Sequence, residues 1–198
     1  KIAKIIAGRL VNREDVYFKD DKSIIKCPNG YIETDEIHGN AIWITHKKLR
    51  EQKIKESKVI SYLSEYETRT VLKLIRKDII LGIGCKRNTD SEKLFNFVSD
   101  ILAQENIDIR AVEKIASINI KSDEKAILDL AVNLKCDLTF FSSQEIAKVE
   151  HKYEGSEFVK KSIGVSAVSE PVIELAGGNI IVKKIKRDGM TLAIGELS

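Results

Sequence analysis

The feature that most constrains this chain is a change of period at Ile79. From there, short apolar runs alternate with stretches whose apolar residues recur at helical spacing. Leu94, Phe97, Val98, Ile101 and Leu102 fall at i, i+3, i+4, i+7 and i+8, one face of a helix. Ile127, Leu130, Ala131 and Leu134 repeat the pattern, with Asp123 and Glu124 expected in the first turn, where the helix dipole favours negative charge. Leu138–Phe141 reads as a strand, followed by a helix opened by the capping pair Ser142 and Glu145. Thr89 and Glu92 have the same spacing before the first helix. Val168, Val172, Leu175 and Ala176 mark a fourth helix, with Ser169 near its cap, Pro171 in its first turn and Gly177-Gly178 at its end. The tail NIIVKKIKRDGMTLAIGEL reads as a hairpin around Asp188-Gly189. Strand–helix alternation of this kind predicts a layered α/β/α domain over residues 79–198.

Residues 1–78 have a different texture, read as a small α/β domain. Two short β-like runs, 23–26 and 31–34, flank Cys27-Pro28-Asn29-Gly30 and predict a hairpin. Ala41–Thr45 and Thr70–Ile75 read as strands. The charged segment KKLREQKIKESK (47–58) reads as a solvated surface, and no catalytic pattern appears in this half.

Composition excludes several functions. Of 198 residues, 43% are hydrophobic and 32% charged, with a net charge of +3. That balance suits a globular domain, but it is too mild for a nucleic-acid binder. No apolar run reaches the length of a membrane span, and no secretory leader is visible. The three cysteines are odd in number and far apart, and the three histidines are equally scattered. Neither a disulfide framework nor a built-in metal site follows, and the expected compartment is the reducing cytoplasm.

The chemistry gathers at the turns. LGIGCKRNT (81–89) carries Gly82, Gly84, Cys85, Lys86, Arg87 and Thr89 between a strand and a helix. A dinucleotide fingerprint would need a third glycine where Arg87 stands, and a phosphate loop would need a GK[ST] ending. A carboxylate-binding turn at a helix N-terminus remains, and Gly82 and Gly84 serving only close packing is the simpler alternative. Lys121, Glu124, Ser142, Ser169 and Glu170 stand at the other helix starts. If the strands are parallel, all converge on one sheet edge, where ligands bind in open α/β sheets. A lysine, two carboxylates and hydroxyls there could bind an acidic substrate and move protons. No GxSxG elbow or Ser/His/Asp set points to an activated serine.

Four segments in order, GIGCKRNT (82–89), ASINIKSDEKAIL (116–128), FFSSQEI (140–146) and GVSAVSEPVI (164–173), resemble the C-terminal domain of the cobalt-precorrin 5A hydrolase family of anaerobic cobalamin biosynthesis. AGRLVNREDVYF and AIWITH resemble that family's middle region, while its N-terminal domain has no counterpart here. The resemblance implies opening of the δ-lactone of cobalt-precorrin-5A with release of acetaldehyde, giving cobalt-precorrin-5B. It implies that cobalt arrives in the substrate, with no cofactor or metal held by the protein itself. It makes Glu124 or Glu170 the candidate general base and Lys121 the candidate oxyanion stabiliser or propionate holder. Gly82, Gly84, Cys85, Lys86, Arg87, Thr89, Ser142 and Ser169 become candidates for holding the substrate, Cys85 chiefly by packing. Other corrin-pathway enzymes and a second copy of the chain are the protein partners to expect, with no nucleic acid and no membrane. Relatives of this C-terminal domain alone accompany the aerobic pathway. A non-catalytic corrinoid carrier or docking module is therefore the competing expectation.

Overall fold

The computed structural model describes residues 1–37, 39–48, 70–157, 160–161 and 164–197. The chain divides into two compact units, Lys1–Arg76 and Lys77–Ser198.

In the first unit, α1 (Ile2–Val11) precedes β1 (Val16–Asp20), β2 (Ile32–Glu33), β3 (Asn40–Thr45) and β4 (Val71–Ile75). The strands form a parallel sheet in the order β2-β1-β3-β4. Its core is Val16, Phe18, Ala41 and Ile44 with Ile6 of α1. Both later strands form where composition places them. The hairpin around Cys27–Gly30 does not. Residues 23–26 belong to no strand, and the short β2 runs parallel to β1. Asp20 supplies the reason: its carboxylate accepts the N–H groups of Lys22, Ile24 and Ile25 at 3.1, 3.0 and 2.9 Å. The donors of Ile24 and Ile25, which a hairpin ladder would draw on, are thereby satisfied locally. Of the charged segment 47–58, residues 49–58 lie outside the described residues.

Asp20 also pairs with the Arg76 guanidinium at 2.5 Å. Burial alone pushes this carboxyl up, but the Ile25 and Lys22 amides and Arg76 outweigh it and hold the group below its ordinary value. A carboxyl depressed on folding stabilises the fold above its unfolded pKa of about 3.9, and the contribution is lost as pH falls through the folded value. Asp20→Asn is therefore expected to lower the melting temperature of the first unit at pH 7, with the gap from wild type narrowing as the pH is brought toward about 2. Thermal melts followed by circular dichroism at several pH values check this. A pH-independent gap would reject the electrostatic account.

The second unit runs β5 (Ile79–Cys85), α2 (Ser91–Gln104), β6 (Val112–Ile118), α3 (Lys125–Leu134), β7 (Asp137–Phe141), α4 (Ser143–Val149), α5 (Pro171–Leu175), β8 (Gly178–Arg187) and β9 (Met190–Leu197). Its sheet order is β7-β6-β5-β9-β8. β5, β6 and β7 are parallel, whereas β9 is antiparallel to both β5 and β8. Ile79 to Ile83 of β5 are buried throughout, as a central strand covered on both faces requires. On one face Ile80, Ala116, Ile118 and Ala193 pack with Ile146 of α4 and Val172 and Ile173 of α5. Strand alternation turns Ile79, Leu81 and Ile83 the other way. The paired α2 and α3, with their buried Leu94, Phe97, Val98, Ile127 and Leu130, complete the second layer. The fold is α/β, as the alternation of elements requires.

The caps differ in detail from expectation. Asp90, not Thr89, is the N-cap of α2 and accepts from the Lys93 amide at 2.8 Å. Asp123 and Glu124 precede α3 instead of sitting in its first turn. The Ser142–Glu145 capping box forms as expected. So does the tail hairpin, where Asp188 and Gly189 both adopt positive φ, 51° and 81°. No described helix is long and apolar enough to cross a membrane.

Candidate functional site

The parallel strands β5, β6 and β7 end together at Cys85, Ile118 and Phe141. Because Cys85 pairs with Met190, the Asp188–Gly189 turn of the antiparallel hairpin comes to that same edge. The loop leading into α5 arrives there as well. Between these segments lies a cavity of about 690 Å³. Ile118, Ile120, Ala167, Val168 and Met190 give it an apolar lining. Lys86, Arg87, Lys121, Lys184, Lys186 and Arg187 line it as well, and Asp188 is the one acidic residue among the described lining residues.

Two lysine–glutamate pairs stand in its walls. Lys121 is 8% exposed, and its ammonium lies 3.4 Å from the Glu124 carboxylate, itself 3% exposed. The second Glu124 oxygen accepts the Thr89 amide at 3.2 Å. This explains a lysine near a helix start: Glu124 gives up capping α3 to neutralise it. Lys184 lies 3.9 Å from Glu170, both nearly buried, and the Lys184 backbone N–H donates to Glu170 at 3.4 Å. In both pairs the lysine lines the cavity and the glutamate stands behind it.

The other sequence candidates divide. Gly84, Cys85, Lys86, Arg87 and Ser169 line the cavity. Arg87 is steadied by Asp123 and by the Ile120 carbonyl at 2.7 Å. Burial pushes the Cys85 thiol up, and Lys121 and Thr89 pull it only part of the way back. A packing thiol fits that environment better than a thiolate nucleophile. Thr89 is not on the wall; its hydroxyl donates to the Lys86 carbonyl at 2.8 Å and tightens the turn. Ser142 caps α4, accepting from the Glu145 amide and donating to its carboxylate, and is likewise absent from the lining. Gly82 lies beneath the site, where the Ser169 carbonyl crosses the strand so closely that a Cβ would sit 1.8 Å from its oxygen.

The sequence reading missed the contribution of the hairpin. Lys184 and Lys186 of β8 both line the cavity; KKIKR reads as part of a hairpin in the sequence, but its spacing does not say which sheet edge the hairpin reaches. It also missed Glu150, whose carboxylate accepts the Ser166 amide and hydroxyl and the Ala167 amide, pinning the wall segment that ends at Ser169. Arg187 is held over the Phe97 ring, 5.1 Å from its centroid, and paired with Asp100 at 2.8 Å.

The unit is thus an α/β domain with a cavity lined by apolar and cationic side chains at the carboxyl ends of its parallel strands, the place where ligands bind in open α/β sheets. Residues 79–195 match the family model described as "Cobalamin synthesis G C-terminus". The chain belongs to this family and so to cobalamin biosynthesis. It is 29% identical over 124 residues to a cobalt-precorrin-5A hydrolase of Salmonella typhimurium, covering 62% of this chain and 35% of that one. With a probable cobalt-precorrin-5A hydrolase of Methanocaldococcus jannaschii the identity is 34% over 149 residues, covering 68% and 46%. The chain thus spans about a third to a half of the length of these relatives. The crystal structure of CobE, a protein from the cobalamin (vitamin B12) biosynthetic pathway, superposes with a TM-score of 0.55 at 24% identity, covering 61% of this chain and 90% of CobE. That likeness concerns the fold.

Proposed function

We propose that the cavity takes a cobalt-loaded, ring-contracted tetrapyrrole and that the chain is the substrate-holding part of a cobalt-precorrin-5A hydrolase. The observation that carries this reading is a cavity lined by apolar side chains together with six cationic residues. A flat macrocycle fringed with acetate and propionate arms presents the complementary surface, apolar in the middle and anionic at the rim. Lys86, Arg87 and Lys186 meet peripheral carboxylates. Cobalt enters with the substrate, so the protein needs no resident cofactor.

In the reaction, water adds to the lactone carbonyl and the ring-opened oxygen leaves. That oxygen then becomes the carbonyl of acetaldehyde as the adjacent C–C bond breaks and its electron pair passes into the conjugated macrocycle. Lys121 stabilises the oxyanion formed at the lactone carbon, a role that gains strength in a site shielded from water. Glu124 pairs with Lys121 and is not among the lining residues, which favours a positioning role over direct proton abstraction.

The test is acetaldehyde release from cobalt-precorrin-5A, coupled to an NADH-dependent alcohol dehydrogenase, with tetrapyrrole binding followed by its visible spectrum. Release by the wild-type chain supports the hydrolase reading. Binding without release would instead support a corrinoid carrier or docking module. The scarcity of acidic groups on the cavity wall favours that second reading, since both glutamates stand behind lysines. Absence of both signals would reject the tetrapyrrole site altogether.

A further inference from the structure

The Lys184 side of the cavity lies far from Lys121. Lys121 follows β6 and Lys184 sits on β8, with β5 and β9 between them in the sheet. Three interstrand steps put the two supporting strands about 14 Å apart. That separation suits a reacting lactone at Lys121 and a peripheral carboxylate at Lys184 on opposite sides of one macrocycle.

Lys184 is also built unlike an ordinary surface lysine. Its side chain is only 11% exposed. Its ammonium donates to the Glu154 carbonyl at 2.5 Å and leans on Glu170, while the backbone of the same residue is tied to Glu170. An ammonium has three donors, so this arrangement fixes its direction without exhausting it. On the same wall, Ser169 is 1% exposed, and its hydroxyl has no hydrogen-bond partner among the described residues. A buried hydroxyl left unpaired is costly, and a ligand carboxylate would satisfy it.

Resting on the reading that the cavity takes a carboxylated tetrapyrrole, we propose that Lys184 and Ser169 form a further carboxylate anchor, oriented by Glu170, which grips the ring on the side opposite the lactone that Lys121 faces. The anchor sets which way round the macrocycle lies. Lys184 and Ser169 contact the ligand, and Glu170 is a positioning residue.

The probes are cobyrinic acid, a stable cobalt corrinoid with free peripheral carboxylates, and its heptamethyl ester, which keeps the ring and removes the charges. Binding is measured by visible titration and by calorimetry. Wild type is expected to bind the acid much more tightly than the ester. Lys184→Met, which keeps the stem and removes the charge, is expected to weaken the acid about tenfold or more and leave the ester unchanged, with partial rescue in Lys184→Arg. Ser169→Ala gives up no hydrogen bond in the free protein, so it keeps the fold testable should Lys184→Met be unstable. It is expected to weaken the acid severalfold. Wild-type affinity for the acid in both Lys184→Met and Ser169→Ala would overturn the anchor while leaving the tetrapyrrole site standing. Failure of the wild-type chain to bind either probe would overturn that site and the anchor with it.

Discussion

Gly82→Ala is expected to dismantle the wall of the cavity and to cost the second unit roughly 3 kcal/mol or more, above the ordinary range for overpacked sites. The added Cβ would lie 1.8 Å from the Ser169 carbonyl oxygen, 2.8 Å from its carbon and 3.0 Å from Ile173 Cγ1. Two of these three neighbours are backbone, so no rotamer change relieves the clash. The loop entering α5 must lift off β5 and carry Val168 and Ser169 with it. A fall in melting temperature of roughly 10 °C, together with loss of corrinoid binding, is the expected readout for a unit of this size. Gly84→Ala supplies the comparison: its Cβ would meet the Thr191 hydroxyl at 2.6 Å, a side-chain atom that can turn by giving up its hydrogen bond to the Gly84 carbonyl, a smaller cost than displacing backbone. Equal damage from both substitutions would reject the close crossing at Gly82 as the cause.

Lys121→Met is expected to lower turnover by about 10²–10³-fold, the usual loss when one donor to an oxyanion is removed. It also strands Glu124, which is 3% exposed and keeps the Thr89 amide as a hydrogen-bond donor. Breaking a buried pair from one side costs about 3–5 kcal/mol, largely the penalty of an uncompensated charge. Stability and chemistry are therefore confounded in the single variant, and a double variant separates them. Lys121→Met with Glu124→Gln removes both charges and is expected to recover most of the stability while turnover stays low. Recovery of turnover along with stability would make Lys121 a structural residue and remove it from the chemistry.

Much of the second unit was legible in the sequence because its signals are local. The helical spacing of Leu94 to Leu102, the capping box at Ser142 and the turn at Asp188-Gly189 each depend on residues close along the chain. Failures occurred where a side chain reached elsewhere. The hairpin at Cys27–Gly30 had good turn chemistry, but Asp20 bound the amides of Lys22, Ile24 and Ile25 first. Thr89 had the right spacing for a cap, but Asp90 took the cap and the Thr89 amide went to Glu124, 35 residues away. The site was legible in part for the same reason. Its turn residues could be collected from β5, β6 and the loop before α5 on the assumption of parallel strands. The hairpin lysines could not, since the hairpin reaches that edge only because β9 runs antiparallel beside β5 and β8 pairs with the far side of β9.

By itself the sequence determined the period of each element, the α/β class and a family resemblance carried by four turns. These are set by the spacing of apolar residues, by backbone freedom at glycine and by caps, all of which act within a few residues. Only the tertiary structure decided which of the charged residues face the cavity. Lys121 and Glu124 are three apart in the chain and were read as equal candidates, yet the fold turns the lysine to the cavity and the glutamate behind it. Lys184 gained its place through strand order, and Gly82 its importance through one carbonyl crossing above it. Burial and pairing of charge depend on contacts between distant segments, and those exist only once the sheet has assembled.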